Sequence, residues 1–290
     1  RYIASVQIGP SPAWLQTCLR LVGLRPINNV VDISNFVLYE LGQPLHAFDA
    51  VAIDGPELQV RRARAGERLD ALNEEDYALE LEDLVIADAC GPVALAGIMG
   101  GRRTATVADT RHVFLEAAYF KGAVVRRSSR RLGLRSDSSL RFERGIDVQA
   151  IPLALQRASL LLQDLARGVV YSPMADAAFA LPQPRSLTLR TERLQRLLGY
   201  PIDSERCQAL LRRLEFNILS SADGTLTVAV PSHRWHDVRH EADLIEELAR
   251  LNGYEHIPES LPRAAITVAP RPPHPAAPRR LRRGVEDVVG

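Results

Sequence analysis

The sequence predicts an α+β fold, with a mixed-sheet domain followed by a smaller α+β domain. Short apolar runs of strand length are interspersed with amphipathic helices, without the regular strand–helix alternation of a parallel α/β protein. The pair Asp223-Gly224, between two strand-like segments, predicts a tight antiparallel hairpin. A proline-rich stretch over residues 171–186 separates two parts that each mix helices and strands, so we place the domain boundary there.

The first part opens with two predicted helices. Ser11 stands as the cap of one helix, which Gly23 ends. The second helix has Asp32 or Ser34 near its start and Gly42 as its stop. The predicted strands cover residues 58–63, 83–88, 93–101 and 112–120, and two further helices cover about 123–132 and 149–167.

The second part is a compact alternation of short elements. A strand over 187–190 leads into a helix capped by Thr191, and a second helix follows over 203–216. The hairpin then precedes a third helix that Gly253 ends. We therefore predict domains over 1–175 and 186–258, with residues 259–290, rich in proline and arginine, as a linker and the start of a further domain.

Bulk properties describe an ordinary water-soluble protein of 290 residues with 24% charged residues and a net charge of +1. That charge predicts no partner, so any nucleic-acid surface must be a local patch. The cysteines, at 18, 90 and 207, lie far apart and form no Cys-x-x-Cys motif, which disfavours a thiolate metal site. Reduced thiols of this kind are typical of a cytoplasmic protein. No apolar run approaches the roughly 20 residues that span a bilayer, so we expect no membrane partner.

Three long stretches are far more specific than these patterns. They are RPINNVVDISNFVLYELGQPLHAFD (25–49), LRSDSSLRFERGID (134–147) and PSHRWHDVRHEADLIEELARLNGYEHIP (231–258). Together they resemble the β subunit of bacterial phenylalanyl-tRNA synthetase, from about residue 8 to 258. The resemblance implies that the first two stretches belong to an editing and tRNA-binding module. It implies that the third ends a small module with a winged-helix-like look.

The same resemblance implies an internal fragment of a ligase subunit. In this family the ATP-dependent aminoacylation site lies on the α subunit, so this chain alone is not expected to make aminoacyl-tRNA. The implied partners are the α subunit, in a heterotetramer, and phenylalanine tRNA. The implied reaction is hydrolysis of tyrosine mistakenly attached to that tRNA.

Editing has a physical reason, because tyrosine differs from phenylalanine by one hydroxyl group. An apolar pocket rejects an added hydroxyl by only about a hundredfold. A second pocket that requires the hydroxyl solves the problem, since a buried acceptor left unpaired costs about 1–3 kcal/mol. Glu116, in the apolar run VFLEAAY, matches the family's tyrosine-selecting glutamate. The alternative is an edge-strand glutamate that faces water.

His46 lies in the apolar run PLHAF and matches the family's editing-site histidine. Asn35 and Arg25 stand at matching positions upstream, and with His46 they are expected to position the ester and the water. A histidine that is simply satisfied in the core or on the surface is the alternative. Because no Ser-His-Asp or Cys-His arrangement is evident, we expect water to attack rather than a side chain.

Small residues complete the expected substrate site. Gly100 ends a strand and lets backbone approach a ligand closely, although a simple tight turn is an equal alternative. Ser136 matches a hydroxyl residue of the family's pocket. Ser138 departs from a frequent alanine and Leu140 from a frequent histidine, which puts the editing rate in doubt.

A basic helix is the candidate nucleic-acid surface. Four arginines at i, i+4 spacing put like charges on neighbouring positions, an arrangement that favours anions nearby. Phosphate contact is one interpretation, and a solvated face with acidic neighbours is the other. These residues are Arg126, Arg127, Arg130 and Arg131.

An acidic set in the second domain is the candidate metal site. By resemblance it matches a magnesium site that the family shares with the α subunit, and oxygen ligands suit that ion. The alternative is structural, with carboxylates at the start of a helix or paired with arginine. His233, His236 and His240 lack an accompanying cysteine, so zinc is not expected. The acidic residues are Asp237, Asp243, Glu246 and Glu247.

Editing hydrolysis is therefore the predicted function. The rival is a tRNA-docking or subunit-assembly module without hydrolysis, which the departures at Ser138 and Leu140 favour. A DNA-binding regulator is a third possibility, resting only on the winged-helix-like part and the arginine bias.

Overall fold

The computed structural model describes residues 1–178 and 182–259, and it confirms the α+β class. The strand pairings in those ranges are antiparallel. No helix within them is both long and apolar enough to cross a membrane. The predicted linker over 259–290 lies outside the described residues from residue 260 onward.

Helices and strands alternate irregularly along the chain. The helices are α1 (Ala13–Leu21), α2 (Asn29–Leu41), α3 (Gly122–Leu132), α4 (Asp137–Arg144), α5 (Ile151–Ala166), α6 (Thr191–Leu198), α7 (Ser204–Arg213) and α8 (Glu241–Asn252). The strands are β1 (Tyr2–Ala4), β2 (Leu45–Asp49), β3 (Gln59–Arg62), β4 (Arg68–Asp70), β5 (Asp76–Ala78), β6 (Leu84–Asp88), β7 (Gly91–Leu95), β8 (Met99–Gly100), β9 (Val113–Ala117), β10 (Val169–Val170), β11 (Ser186–Arg190), β12 (Asn217–Ala222) and β13 (Thr225–Ala229).

Two cores build the first domain and meet at strand β2. The sheet β10–β1–β9–β2 packs against α1, α2 and α5, and the sheet β3–β6–β7–β8 packs near α3 and α4. Ala47 belongs to the first core and Phe48 to the second, because successive strand residues point to opposite faces. Buried side chains of this kind contribute about 1.5–3 kcal/mol each for the larger apolar residues. Burial on both faces therefore fixes the position of β2.

A separate core lies within residues 187–251. The sheet β11–β13–β12 packs against α6, α7 and α8 through side chains such as Leu189, Leu210 and Leu248, each fully buried. Asp223 and Gly224 both have positive φ, as the predicted two-residue hairpin turn requires.

The predicted caps of α1 and α6 are wrong, whereas Asp32 lies in the first turn of α2 as predicted. The Ser11 hydroxyl does not cap α1 but donates to Asp32 Oδ2 at 2.6 Å, because that carboxylate is fully buried and needs donors. Helix α2 begins at Asn29, three residues before Asp32, and the Asn28 side chain caps it. Thr191 is the first residue of α6, and its hydroxyl donates to the Gly224 carbonyl.

The strand predicted over 93–101 is in fact two strands. Gly97 has a φ of 72° and forms a turn between β7 and β8, which pair with each other. An added Cβ on Gly97 would lie 2.9 Å from the Phe142 ring, so glycine also allows α4 to approach the turn. The turn matters because it forms one wall of the candidate site.

Candidate functional site

Strand β2 brings His46 to the candidate site. The antiparallel register of β2 and β9 sets His46 directly opposite Glu116. Opposed residues on neighbouring strands lie on one face, with Cβ atoms about 4.5–5.5 Å apart. Phe48 shares that face and packs edge-on against the imidazole, with ring centroids 4.4 Å apart. The pairing therefore places an imidazole and a carboxyl group side by side.

These two side chains line a cavity of about 60 Å³. Three polar side chains, those of His46, Glu116 and Ser138, stand among apolar ones, an arrangement typical of small-molecule sites. The apolar lining comes from the start of β2, from β6 to β8 with their turn, from α4 and from Phe120. It consists of Pro44, Leu45, Ile86, Ala94, Leu95, Gly97, Ile98, Met99, Gly100, Phe120 and Phe142.

Gly100 is the wall residue closest to His46. A Cβ added there would lie 2.8 Å from His46 Nε2, and closer still to Cε1 of the same ring. It would also lie 3.0 Å from Leu72 Cδ1. Glycine is therefore required for the imidazole to occupy its position.

Burial changes the acid–base properties of both polar groups. It raises the pKa of the Glu116 carboxyl to about 7 and lowers the pKa of the His46 imidazole to about 4. Both residues are half-buried, because one side of each faces the cavity and protein atoms enclose the rest. His46 Nε2 is fully buried and has no hydrogen-bond partner in the described part of the chain. At pH 7 the site therefore holds a neutral imidazole beside a carboxyl group that titrates near neutral pH.

Asn35 and Arg25 do not line the cavity. Asn35 is half-buried in the middle of α2, and Arg25 is exposed in the loop before that helix. Within residues 1–178 and 182–259, neither side chain has a hydrogen-bond or ion-pair partner. Both side chains are thus available to a ligand that extends beyond the cavity.

The two serines of the LRSDSS stretch have different places. The Ser136 hydroxyl donates to the Ile98 carbonyl at 2.7 Å and accepts from the Ser139 amide, so it caps α4 and ties that helix to the β7–β8 turn. Ser138 lines the cavity itself. The Ser136 hydroxyl thus holds the wall, and Ser138 forms part of it.

Gln43 is a residue of this site that sequence reasoning missed. Its side chain is 1% exposed, and its amide nitrogen donates to the carbonyl groups of Pro44 at 2.9 Å and Ala118 at 3.0 Å. These bonds join the start of β2 to the segment after β9, on either side of His46 and Glu116. No pattern in a single sequence distinguishes such a glutamine from a solvated one.

The basic helix α3 divides into two faces. Arg127 pairs with Glu82, and Arg131 pairs with Asp83 and with Glu80 at 3.4 Å, which ties α3 to the turn before β6. Arg126 and Arg130 are exposed and have no partner among the described residues. Of these four arginines, only Arg126 and Arg130 remain available to an external anion.

Within the described part of the chain, the acidic set of the second domain is not by itself arranged to hold a metal ion, and a site shared with an α subunit stays a prediction. Glu247 is 4% exposed and pairs with Arg234 at 2.6 Å and with Arg250. Asp243 accepts the backbone amides of Arg239 and His240 and caps α8. Arginine and backbone donors thus already occupy the acceptors that a magnesium ion needs, and these residues alone do not fit the ion.

The other two carboxylates of that set are also engaged. Asp237 pairs with Arg234 at 2.8 Å, and Glu246 accepts the Tyr254 hydroxyl at 3.4 Å. Across residues 1–178 and 182–259, no group of three or more His, Cys, Asp or Glu side chains is arranged to hold a metal ion.

Comparison with known proteins gives two family matches and a consistent set of relatives. Residues 1–167 match the model of the B3/4 domain, and residues 187–254 match that of the tRNA synthetase B5 domain. The chain is 47% identical over 262 residues to the phenylalanine–tRNA ligase beta subunit of Moorella thermoacetica, covering 90% of the chain and 32% of that protein. It is 42% identical over 286 residues to the Bacillus subtilis beta subunit, covering 99% of the chain and 35% of that protein.

The chain thus spans about a third of the length of these relatives. Among solved structures, this chain is similar to an N-terminal fragment of the phenylalanyl-tRNA synthetase beta subunit from Pyrococcus horikoshii. The alignment covers 85% of this chain and 68% of that fragment. Its sequence identity is 14% and its TM-score 0.38.

Proposed function

Because the chain belongs to the B3/4 domain family and is similar to phenylalanine–tRNA ligase beta subunits over nine-tenths of its length, we propose that it edits mischarged phenylalanine tRNA. The family resemblance noted in the sequence is confirmed. In the proposed reaction, water attacks the ester carbonyl, the bond to the terminal ribose oxygen breaks, and free tyrosine and uncharged tRNA result.

One observation carries this proposal, namely that Glu116 and His46 face each other across neighbouring strands and line one largely apolar cavity. A tyrosine side chain whose phenol end enters the cavity brings a hydroxyl that satisfies the carboxyl group. A phenylalanine side chain leaves that group without a partner, at a cost of about 1–3 kcal/mol, and more when it is ionised. The cavity thereby selects for the hydroxyl that an aminoacylation pocket rejects only weakly.

His46 has the properties of a positioning group in this reaction. A neutral imidazole with an unpaired, buried Nε2 is ready to hydrogen-bond the ester or the attacking water. With its pKa near 4 it is a weak base and is not protonated at pH 7, so orientation is its main contribution. Gly100 leaves the space in which this ring sits.

A direct assay tests the proposal. Tyrosyl and phenylalanyl esters of phenylalanine tRNA are incubated with the chain, and their loss above the uncatalysed rate is measured. We expect faster hydrolysis of the tyrosyl ester, and a His46→Ala rate about a hundredfold lower because the water is less well oriented. Absence of any hydrolysis above the uncatalysed rate, with tRNA bound, contradicts the proposal.

That contrary result would favour the rival function, a module that docks tRNA or assembles with an α subunit without hydrolysis. One observation supports this rival. Asn35 and Arg25, which were expected to position the ester and the water, lie outside the cavity walls. We propose phenylalanine tRNA and an α subunit as partners in either case, with the ATP-dependent reaction located elsewhere in a cytoplasmic enzyme. No step is assigned to magnesium.

The two faces of α3 give a separate prediction for tRNA binding. Replacing the free pair, Arg126→Ala with Arg130→Ala, is expected to weaken binding and to lower the slope of log affinity against log salt by about 1.5, because two phosphate contacts are lost. Replacing Arg127 and Arg131 by alanine is expected to leave the slope nearly unchanged and to lower the melting temperature, because both are paired with acidic residues. Filter binding of phenylalanine tRNA across a salt series measures the slope, and equal slopes for both double variants contradict the assignment.

A further inference from the structure

A tyrosine–arginine pair lies between α2 and α4, the helix that contributes Ser138 and Phe142 to the cavity wall. The Arg141 guanidinium carbon lies 4.6 Å from the centroid of the Tyr39 ring. Asp137 Oδ1 accepts both the Tyr39 hydroxyl at 3.2 Å and Arg141 Nη1 at 2.9 Å. The phenol ring is therefore held at two points, and the cation covers one of its faces.

The ring nevertheless remains accessible. Tyr39 is 38% exposed, and it lines a groove between α1 and α2 together with Val22 and Phe36. Because Arg141 covers one face, the accessible surface is on the other side of the ring. A fixed, half-exposed aromatic ring with a cation behind it is the arrangement on which nucleobases stack.

Its position relative to the cavity is specific. Asp137 directly precedes Ser138, whose side chain lines the cavity. Tyr39 follows Asn35 by one helical turn, so the two side chains share one face of α2, and the Asn35 amide has no partner in the described ranges. Arg135, two residues before Asp137, is exposed and likewise unpaired there. The aromatic ring is thus bonded to the residue next to a cavity-lining serine, and a free amide and a free cation lie on the same two segments.

We propose that Tyr39, backed by Arg141, is a stacking platform for the terminal base of a single-stranded RNA 3′ end. The inference rests on the proposed function, because an ester in the cavity must be joined to a nucleoside that leaves over the rim. Single-stranded RNA is recognised chiefly by stacking of unpaired bases on aromatic rings, with positive charge along the backbone. Asn35 and Arg135 supply the hydrogen-bonding and charged groups beside the ring.

A short RNA ending in CC and 2-aminopurine tests the platform without any hydrolysis. Stacking quenches 2-aminopurine fluorescence, so the full chain is titrated with this RNA and the quenching and affinity are recorded. We expect Tyr39→Leu to weaken binding roughly five- to hundredfold and to abolish quenching, and Tyr39→Phe to retain both, because the ring is what stacks. Tyr254→Leu is the matched control, since Tyr254 is also exposed and bonded to a carboxylate.

Three results would overturn the platform. They are no quenching with the unmodified chain, equal quenching by Tyr39→Leu, and an equal loss in Tyr39→Phe and Tyr39→Leu. The last would mean that the hydroxyl merely ties α2 to α4. A chain that quenches the probe through Tyr39 but does not deacylate tyrosyl-tRNA refutes hydrolysis and leaves the platform standing. A chain that deacylates without Tyr39 dependence refutes the platform alone.

Discussion

Replacing Glu116 by alanine is expected to abolish the preference for tyrosyl over phenylalanyl esters, lowering the ratio of the two hydrolysis rates by about ten- to a hundredfold. The reason is that the carboxyl group is the polar acceptor opposite His46 in a largely apolar wall. An unpaired buried acceptor costs about 1–3 kcal/mol, and the alanine variant has no such acceptor when the phenylalanyl ester binds. Tyrosine at the same time loses its partner.

The same preference should depend on pH. Below pH 7 the Glu116 carboxyl is mostly neutral, so leaving it unpaired beside phenylalanine costs less. Above pH 7 an ionised carboxylate without a donor is strongly disfavoured, and the tyrosine hydroxyl becomes the required donor. We expect the tyrosyl-to-phenylalanyl ratio to rise as pH increases through about 7, after subtraction of uncatalysed hydrolysis, and the Glu116→Gln variant to show a flat ratio.

The pH dependence of the folding stability gives an independent test of the raised pKa of Glu116. The folded-state pKa of Glu116 lies above the ordinary value of 4.5, so its contribution favours folding at low pH and is lost as pH rises toward and through about 7. A shift from 4.5 to about 7 corresponds to about 3 kcal/mol, because one pKa unit is worth about 1.4 kcal/mol. Urea unfolding at pH 5 and pH 8 should show a smaller pH-dependent loss in Glu116→Gln than in the unmodified chain. Glu205→Ala, at an exposed position, is the control for the unfolding experiment. For the selectivity experiment, an unchanged ratio of tyrosyl to phenylalanyl hydrolysis in Glu116→Ala would refute the role of Glu116 in selecting tyrosine.

The fold class was predictable because helices and turns are encoded locally, whereas the site depends on distant pairing. The α2 stop at Gly42 and the Asp223-Gly224 turn follow from backbone conformations that glycine favours. Strand β2 was not predicted, since its five residues show no long alternation. It is a strand because it pairs with β9, almost seventy residues later, and because its two faces enter different cores.

Side-chain partners were the least predictable level. The i, i+3, i+4 spacing of Asp243, Glu246 and Glu247 does lie on α8, yet the sequence did not reveal that Arg234 reaches Glu247. Nor did the sequence reveal the ion pair of Arg131 on α3, whose partner Asp83 lies in the turn before β6. Helical spacing predicts which residues share a face, but the charges opposite that face come from other elements.

Gly100→Ala is expected to lower hydrolysis of the tyrosyl ester about a hundredfold while leaving the fold intact. The added methyl group would occupy the His46 ring position, and the ring cannot move freely because Phe48 packs against it with centroids 4.4 Å apart. A displacement of about 1 Å at a reacting group costs rates of this order. Backbone strain is not the cause, since Gly100 is not among the glycines with positive φ.

Gly9→Ala separates this steric effect from the general cost of replacing a glycine. Gly9 also lacks a positive φ, and a Cβ there would meet no atom within 4 Å. We expect Gly9→Ala to keep full hydrolysis, and both variants to keep the circular dichroism spectrum of the unmodified chain. If Gly100→Ala is folded and hydrolyses the tyrosyl ester at the full rate, the position of His46 is not needed for the reaction. Loss of activity with an unchanged affinity for tRNA would instead locate the defect in the cavity, because the residues proposed to bind RNA on α3 and α2 lie outside its walls.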